Sequence, residues 1–357
     1  MGNAFTILSS MAACRRSLLV AALFAFVPSV FAQAPVKRKE FFVTSDPGIR
    51  VHVREVRSGR AVRGPVMLLH GGGGGGIASF DVDVPGFSLA EDIARAGHPV
   101  YVMDVRGFGD STKPSGMDDA STDAAPEGTA EQAVKDIDAV INNIRRRHGN
   151  KRVAVFGWAS GGHWLGLYTA RNNKKISRLI MLNAIYGVDA PWPLREFFAD
   201  AERPDVFSRK AGAYRLANAQ GLVASWENSI PVKNKDEWRD PRAAKFYVDK
   251  TLASDQTANT RNPPSVRIPR AFQREAFDMS LGRKLFDAKD IRVPTLVIRS
   301  GLDHWSRPED LIALEKDLMN APRKMIVTIL DATHFVFLDR PQHGRQRLID
   351  EILSFLR

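Results

Sequence analysis

The sequence predicts an α/β protein: a mainly parallel, doubly wound sheet carrying helices on both faces and one inserted cap. Three observations predict it. Short apolar runs alternate with longer stretches whose apolar residues recur at helical spacing, the pattern of strands buried on both faces by crossover helices. One segment, residues 187–288, breaks that rhythm between two such runs and is crowded with proline and aromatic residues. Of 357 residues, 44% are apolar and 25% charged, which fills a large core and excludes a globally disordered chain.

Residues 1–32 read as an export signal. Arg15 and Arg16 form a basic start, and Ser17 to Val30 supply a largely apolar run of 14 residues. Val30-Phe31-Ala32 then offers acceptably small residues at the −3 and −1 positions before Gln33. The run is short against the ~20 residues of a bilayer span, and polar Lys37-Arg38-Lys39-Glu40 follows; a retained anchor is the alternative. Removal of the signal implies a periplasmic or secreted protein with no membrane contact. Cys14, the one cysteine, lies inside this segment. The mature chain therefore has no thiol, which excludes a disulfide scaffold, a cysteine nucleophile and a cysteine metal site.

The formal charge of +11, less Arg15 and Arg16, leaves +9 on the mature chain. These positives are scattered among acids. The one dense run, Arg145-Arg146-Arg147-His148, falls at a predicted helix end where cations favour the dipole, so no nucleic-acid partner is expected.

Glu40 to Val56 reads as two strands around a turn at Asp46-Pro47-Gly48. Pro65–Leu69, Pro99–Met103, Val153–Phe156, Leu179–Leu182, Thr295–Ile298 and Met325–Leu330 read as buried strands. Helices are expected at Leu89–Ala96, Thr129–Arg147, Gly161–Ala170, Pro308–Met319 and His343–Leu356. In Thr129–Arg147 the residues Ala133, Val134, Ile137, Val140, Ile141 and Ile144 recur at helical spacing. Residues 33–186 and 289–357 thus form the core, and 187–288, which shows no clear apolar strand but includes Trp192, Trp226 and Trp238, an inserted cap.

The stretch Val153-Ala-Val-Phe-Gly157-Trp158-Ala159-Ser160-Gly161-Gly162 combines a buried strand, a turn bracketed by glycines and a helix start. It resembles the nucleophile elbow of the α/β-hydrolase family, whose pattern is Gly-x-Ser-x-Gly. Positions two before and two after the nucleophile are crowded by backbone, hence the glycines. Here Ala159 stands where the pattern has serine, and alanine has no nucleophilic atom. Three readings compete: a serine replaced by alanine to trap a ligand, a nucleophile moved to Ser160, or a natural non-catalytic member of the fold. Trp158, bulky at the crowded position before Ser160, argues against the second.

The resemblance implies further parts. Val293-Pro-Thr-Leu-Val-Ile-Arg-Ser-Gly301-Leu302-Asp303 ends a strand with an acid, and Ile329-Leu330-Asp331-Ala332-Thr333-His334 ends the last strand with a histidine. The order Ala159, Asp303, His334 matches the family's nucleophile, acid and base. Alone, an Asp after Gly is usually a turn residue and a lone His is often structural; Asp189 is a weaker candidate acid. His70 and Gly71 to Gly76 follow a strand and would give one amide of an oxyanion hole, Gly72 with Gly73 nearby, joined by that of Ser160. The glycines are expected to allow close backbone approach and positive φ, with His70 orienting the loop. A phosphate loop is the alternative, but no Gly-Lys-Ser/Thr ending is present. Asp104-Val105-Arg106-Gly107-Phe108-Gly109-Asp110-Ser111 matches a further family stretch and is expected to be architectural.

Trp158, Trp305 and Phe335, with the aromatic cap, point to a largely apolar substrate pocket; plain core packing is the other reading. The histidines show no metal-ligand spacing, so no metal and no cofactor are expected. The implied function is that of an exported serine esterase or lactonase working through an acyl-enzyme on a small ester-like molecule, with this chain inactive at Ala159. The alternatives are a ligand-binding protein on the same fold, or a hydrolase of C–C, epoxide or haloalkane bonds.

Overall fold

The computed structural model describes residues 34–357, so the expected signal at residues 1–32 lies outside the described residues. Chain order runs β1 (Val36–Asp46), β2 (Ile49–Ser58), β3 (Val66–Leu69), α1 (Gly76–Phe80), α2 (Leu89–Arg95), β4 (Val100–Met103), α3 (Ala130–Arg147), β5 (Val153–Trp158), α4 (Ser160–Asn172) and β6 (Ile176–Leu182). After the cap it resumes with β9 (Thr295–Leu302), α9 (Pro308–Asp317), β10 (Lys324–Thr333) and α10 (Gln346–Leu356). The eight core strands lie in the order β1-β2-β4-β3-β5-β6-β9-β10. Within this sheet, among the described residues, the β1–β2 and β2–β4 pairings are antiparallel and every pair from β4 to β10 is parallel.

Strands β3, β4 and β5 are buried along their whole length, which is why they read as unbroken apolar runs rather than alternating ones. Helix α3 starts at Thr129, whose hydroxyl caps the Gln132 amide in a reciprocal capping box. Its inner face buries Ala133, Ile137, Val140, Ile141 and Ile144, each isoleucine or valine contributing roughly 1.5–3 kcal/mol relative to exposure.

The expected cap differs in one respect. Besides α5 (Arg195–Phe198), α6 (Ala219–Ser229), α7 (Pro241–Ala253) and α8 (Ala271–Ser280), it contains two strands, β7 (Tyr214–Asn218) and β8 (Ser265–Pro269), paired antiparallel. Each has five residues, an arginine within (Arg215, Arg267), and β8 ends on a proline; so short and polar a pair leaves no apolar run to read. The cap is tied down by buried bonds. Tyr247 of α7 accepts the Gly74 amide at 2.9 Å, and the Trp226 indole of α6 donates to Asp339 at 2.8 Å.

Candidate active site

Strand β5 delivers the chain to Ala159, which sits at φ 51°, ψ −116° immediately before α4. A residue with a Cβ held there is strained by about 1–3 kcal/mol. Its neighbours hold it: the Ala159 amide donates to the Leu182 carbonyl at 2.8 Å, and the Ala159 carbonyl accepts the Gly162 amide at 2.9 Å. The flanking glycines are required by contact. A Cβ on Gly157 would lie 2.3 Å from the Gly161 carbonyl oxygen, and one on Gly161 would lie 2.4 Å from that of His70. Ser160 is fully buried, its hydroxyl has no partner, and it is absent from the cavity wall that includes Ala159. This placement counts against Ser160 as a nucleophile. Its amide opens α4, where helix geometry leaves an N–H without an intrahelical acceptor.

Asp303 follows β9 and His334 follows β10. The His334 Nδ1 lies 2.6 Å from the Asp303 Oδ1. The same carboxylate accepts the Trp305 amide at 3.0 Å, the Ser306 amide at 2.8 Å and the Ser306 hydroxyl. Burial pushes this carboxyl upward, but the charge and hydrogen bond of His334, with His304 and Ser306, outweigh it and hold the group below its usual range. With Nδ1 committed, Nε2 is the imidazole nitrogen left for chemistry. The His334 carbonyl accepts from the Trp158 indole at 3.0 Å and the Asn183 amide at 3.2 Å. Its predecessor Thr333 donates to Asp339 through both backbone and hydroxyl.

A bulge aims this corner. Ile329 pairs with Ser300 and Thr333 with Leu302, so β10 spends two more residues than β9 between the same two rungs. Gly301 lies against that detour. Asp189, the weaker candidate acid, is turned outward: its side chain is 73% exposed and pairs with Arg195 at 3.2 Å.

The glycine loop adheres to both layers. A Cβ on Gly71 would stand 3.1 Å from that of Ala159, and one on Gly72 would fall 2.4 Å from the Phe272 ring. None of residues 71–76 has positive φ. That corrects one expectation: close approach, not handedness, selects glycine here. The Val105 amide donates to His70 Nε2 at 3.1 Å, so Nδ1 carries the proton to the Gly71 carbonyl, 2.7 Å away. Complete burial pushes His70 down, keeping it neutral. His70 thus orients the loop.

Asp104 accepts the amides of Gly76 at 2.6 Å and Asp110 at 3.0 Å and pairs with His52 at 2.9 Å. Burial opposes ionisation there, yet the His52 pairing and these bonds bring the carboxyl to about 2. Arg106 binds Asp136 and Asp46. Both are architectural.

A cavity of about 380 Å³ opens on this corner. Ala159, His334, Gly72, Gly73, Trp158, Trp305 and Phe335 all line it. Asp303 stands behind His334. Sequence reasoning missed Arg215, Tyr247, Phe272, Gln273 and His304, which also line it. The first four come from the cap, where no motif marks them. Burial and the adjacent His334 push His304 down to about 4, so it faces the cavity neutral.

Among the described residues, Asp303, His304 and His334, and separately His52, Asp104 and Asp110, lie close enough together to share an ion. Spacing could not show them, because the members are far apart in sequence. In each cluster a histidine and a carboxylate already satisfy one another.

An eight-stranded, mostly parallel sheet with a sharp strand–helix turn at one end of a lined cavity defines a hydrolase-type α/β fold. The chain belongs to the family described as alpha/beta hydrolase fold, whose sequence model matches residues 64–341. It is similar to the pig (Sus scrofa) protein named 1-acylglycerol-3-phosphate O-acyltransferase ABHD5, 28% identical over 346 residues, covering 88% of this chain and 83% of that protein. In structure it is similar to a thermophilic esterase from Thermogutta terrifontis (TM-score 0.55, 21% identity, 90% and 98% covered). It is likewise similar to the enol-lactonase from Burkholderia xenovorans LB400 (TM-score 0.56, 18% identity, 88% and 99% covered). At these identities the likeness to solved structures shows the fold.

Proposed function

We propose that the cavity binds a carboxylic ester or lactone, and that the protein is an exported hydrolase of the serine type whose nucleophile position is held by Ala159. The observation that carries this reading is a non-glycine residue kept at φ 51° on the elbow while its cavity is shared with a histidine bonded to a buried carboxylate. Strain of that kind persists only where the surroundings enforce it, and the surroundings here are those an attacking hydroxyl needs. The pig relative's name, that of an O-acyltransferase, supports acyl chemistry on this sequence pattern.

With a serine at 159, its Oγ attacks the acyl carbon as His334 Nε2 takes the proton. The amides of Gly72 and Ser160 receive the oxyanion. His334 returns the proton to the departing alkoxide, then takes one from a water whose oxygen attacks the acyl carbon. The acyl–Oγ bond breaks, the acid leaves, and His334 gives the proton back to the Oγ at 159. Asp303 keeps the imidazole in the required tautomer and stabilises its cation. With alanine, the first bond cannot form, so the chain binds ligand without that turnover. The alanine itself favours the second reading, a protein that retains ligand for binding alone.

The deciding experiment is Ala159→Ser. The nucleophilic route is worth up to about 10⁶-fold in kcat. The variant is expected to hydrolyse p-nitrophenyl acetate and to be labelled by a fluorophosphonate, and to lose both again with His334→Ala. A folded Ala159→Ser variant that takes no label refutes the hydrolase reading and leaves the binding one.

A further inference from the structure

The cavity has a charge that its own walls do not answer. Arg215, on cap strand β7, lines it, yet none of the side chains lining it is a carboxylate. The Arg215 Nε is shielded from solvent and has no hydrogen-bond partner. Among the described residues no carboxylate acts on this guanidinium; besides burial it feels the Tyr247 phenol, which raises it, and another cation, Arg270, which lowers it. Arg270 is itself occupied, with the Gln273 side chain at 3.0 Å and the Ala211 carbonyl at 2.7 Å. Burial consequently pushes Arg215 below its usual value.

A second orphan belongs to a residue of the same lining. Trp305 is 7% exposed, and its indole Nε1 has no partner. Guanidinium and indole nitrogens only donate. Buried donors without acceptors are costly unless something supplies the acceptor. His304, which also lines the cavity, adds no competing positive charge, being neutral. The cavity is therefore free of carboxylates and equipped with unmatched donors, one of them charged.

We propose that Arg215 and Trp305 hold an anionic end-group of the substrate, a carboxylate or a phosphate, so that the ligand is a charged ester or lactone rather than a neutral one. Arg215 is a specificity-determining residue: its planar fork suits a two-oxygen anion. This inference rests on the acyl-site reading above and names the substrate class of that site.

The test uses the protein as it stands, with Ala159 preventing turnover, and calorimetric titration of three probes. These are dimethyl adipate (neutral), monomethyl adipate (carboxylate) and 4-acetoxybutyl phosphate (phosphate). At least one anionic probe is expected to bind tenfold or more tightly than the neutral diester, and which one does so identifies the anion. Arg215→Met should bring that ratio below threefold, while Arg215→Lys keeps part of it. Removing an unpaired cation should leave Arg215→Met at least as heat-stable as the parent, so loss of preference cannot be put down to unfolding. Equal binding of neutral and anionic probes, no binding of any, or a preference that survives Arg215→Met overturns the proposal. Fluorophosphonate labelling of Ala159→Ser is read separately. Labelling without anion preference removes only the Arg215 assignment, and anion preference without labelling removes only the acyl reading.

Discussion

Gly301→Ala tests whether the β9–β10 bulge sets the aim of Asp303 and His334. A Cβ added at Gly301 would lie 2.2 Å from the Leu330 carbonyl oxygen and 2.8 Å from the Leu330 Cα. Non-bonded heavy atoms rest near about 3.5 Å, so the two strands must part by about 1 Å. Both obstacles are backbone, and neither can rotate away. Overpacking of this kind costs about 1–3 kcal/mol, or roughly 2–4 °C of Tm per kcal/mol in a chain of this order of size. The consequence for the site is larger. Asp303 lies two residues past Gly301 and His334 four past Leu330, and a misplacement of about 1 Å in catalytic geometry can cost about 100-fold. In the Ala159→Ser background, p-nitrophenyl acetate turnover should drop by that factor, mainly in kcat, with a lowered melting temperature. Unchanged Tm and unchanged turnover in Gly301→Ala would show that the strand approach has no part in aiming the pair.

Other consequences can be measured directly. Gly161→Ala puts a methyl 2.4 Å from the His70 carbonyl oxygen and 2.5 Å from that of Leu69; it should fold poorly or melt several degrees lower, and a parental melting curve would contradict the crowding at the elbow. Asp339 offers a pH test. Burial raises its carboxyl to about 6 despite donors from Thr333 and Trp226, against about 3.9 in an unfolded chain. A raised carboxyl binds more protons folded than unfolded in this window, so its penalty is present at pH 7 and relieved as pH falls through 6. The unfolding free energy of the parent, relative to Asp339→Asn, should therefore rise by about 1 kcal/mol from pH 7 to pH 5. A constant difference across that range would deny the shift.

The core was legible because its chemistry is local. Strands β3, β4 and β5 are buried on both faces, so they had to be written as continuous apolar runs. The helical spacing of Ile137, Val140, Ile141 and Ile144 announced α3. The elbow was legible because backbone contact at Gly157 and Gly161 tolerates no side chain. The cap strands were not, since Arg215 and Arg267 interrupt five-residue segments whose pairing partners lie 47 to 55 residues away. Position 215 itself shows why sites resist such reading: an arginine matters there for the partner it lacks, and only the assembled walls reveal that lack. His304 and Gln273 are similar, ordinary until folding brings them to a shared surface. The glycine run was read correctly as a place of close approach and wrongly as a place of left-handed backbone.

That run also limits how the molecule could change. Gly72, Gly73 and Gly74 have room for no Cβ because cap residues Phe272, Tyr247 and Thr251 occupy the space, while Gly75 and Gly76 are blocked by Asp104, Gly109 and Met103 of the sheet layer. A polyglycine stretch, ordinarily the loosest of tethers, is here cast between two moulds. Transplanting another relative's lid onto this scaffold would leave the strip unsupported on one side, and its amides would lose their fixed bearing. Lid and scaffold therefore have to diversify as a matched pair.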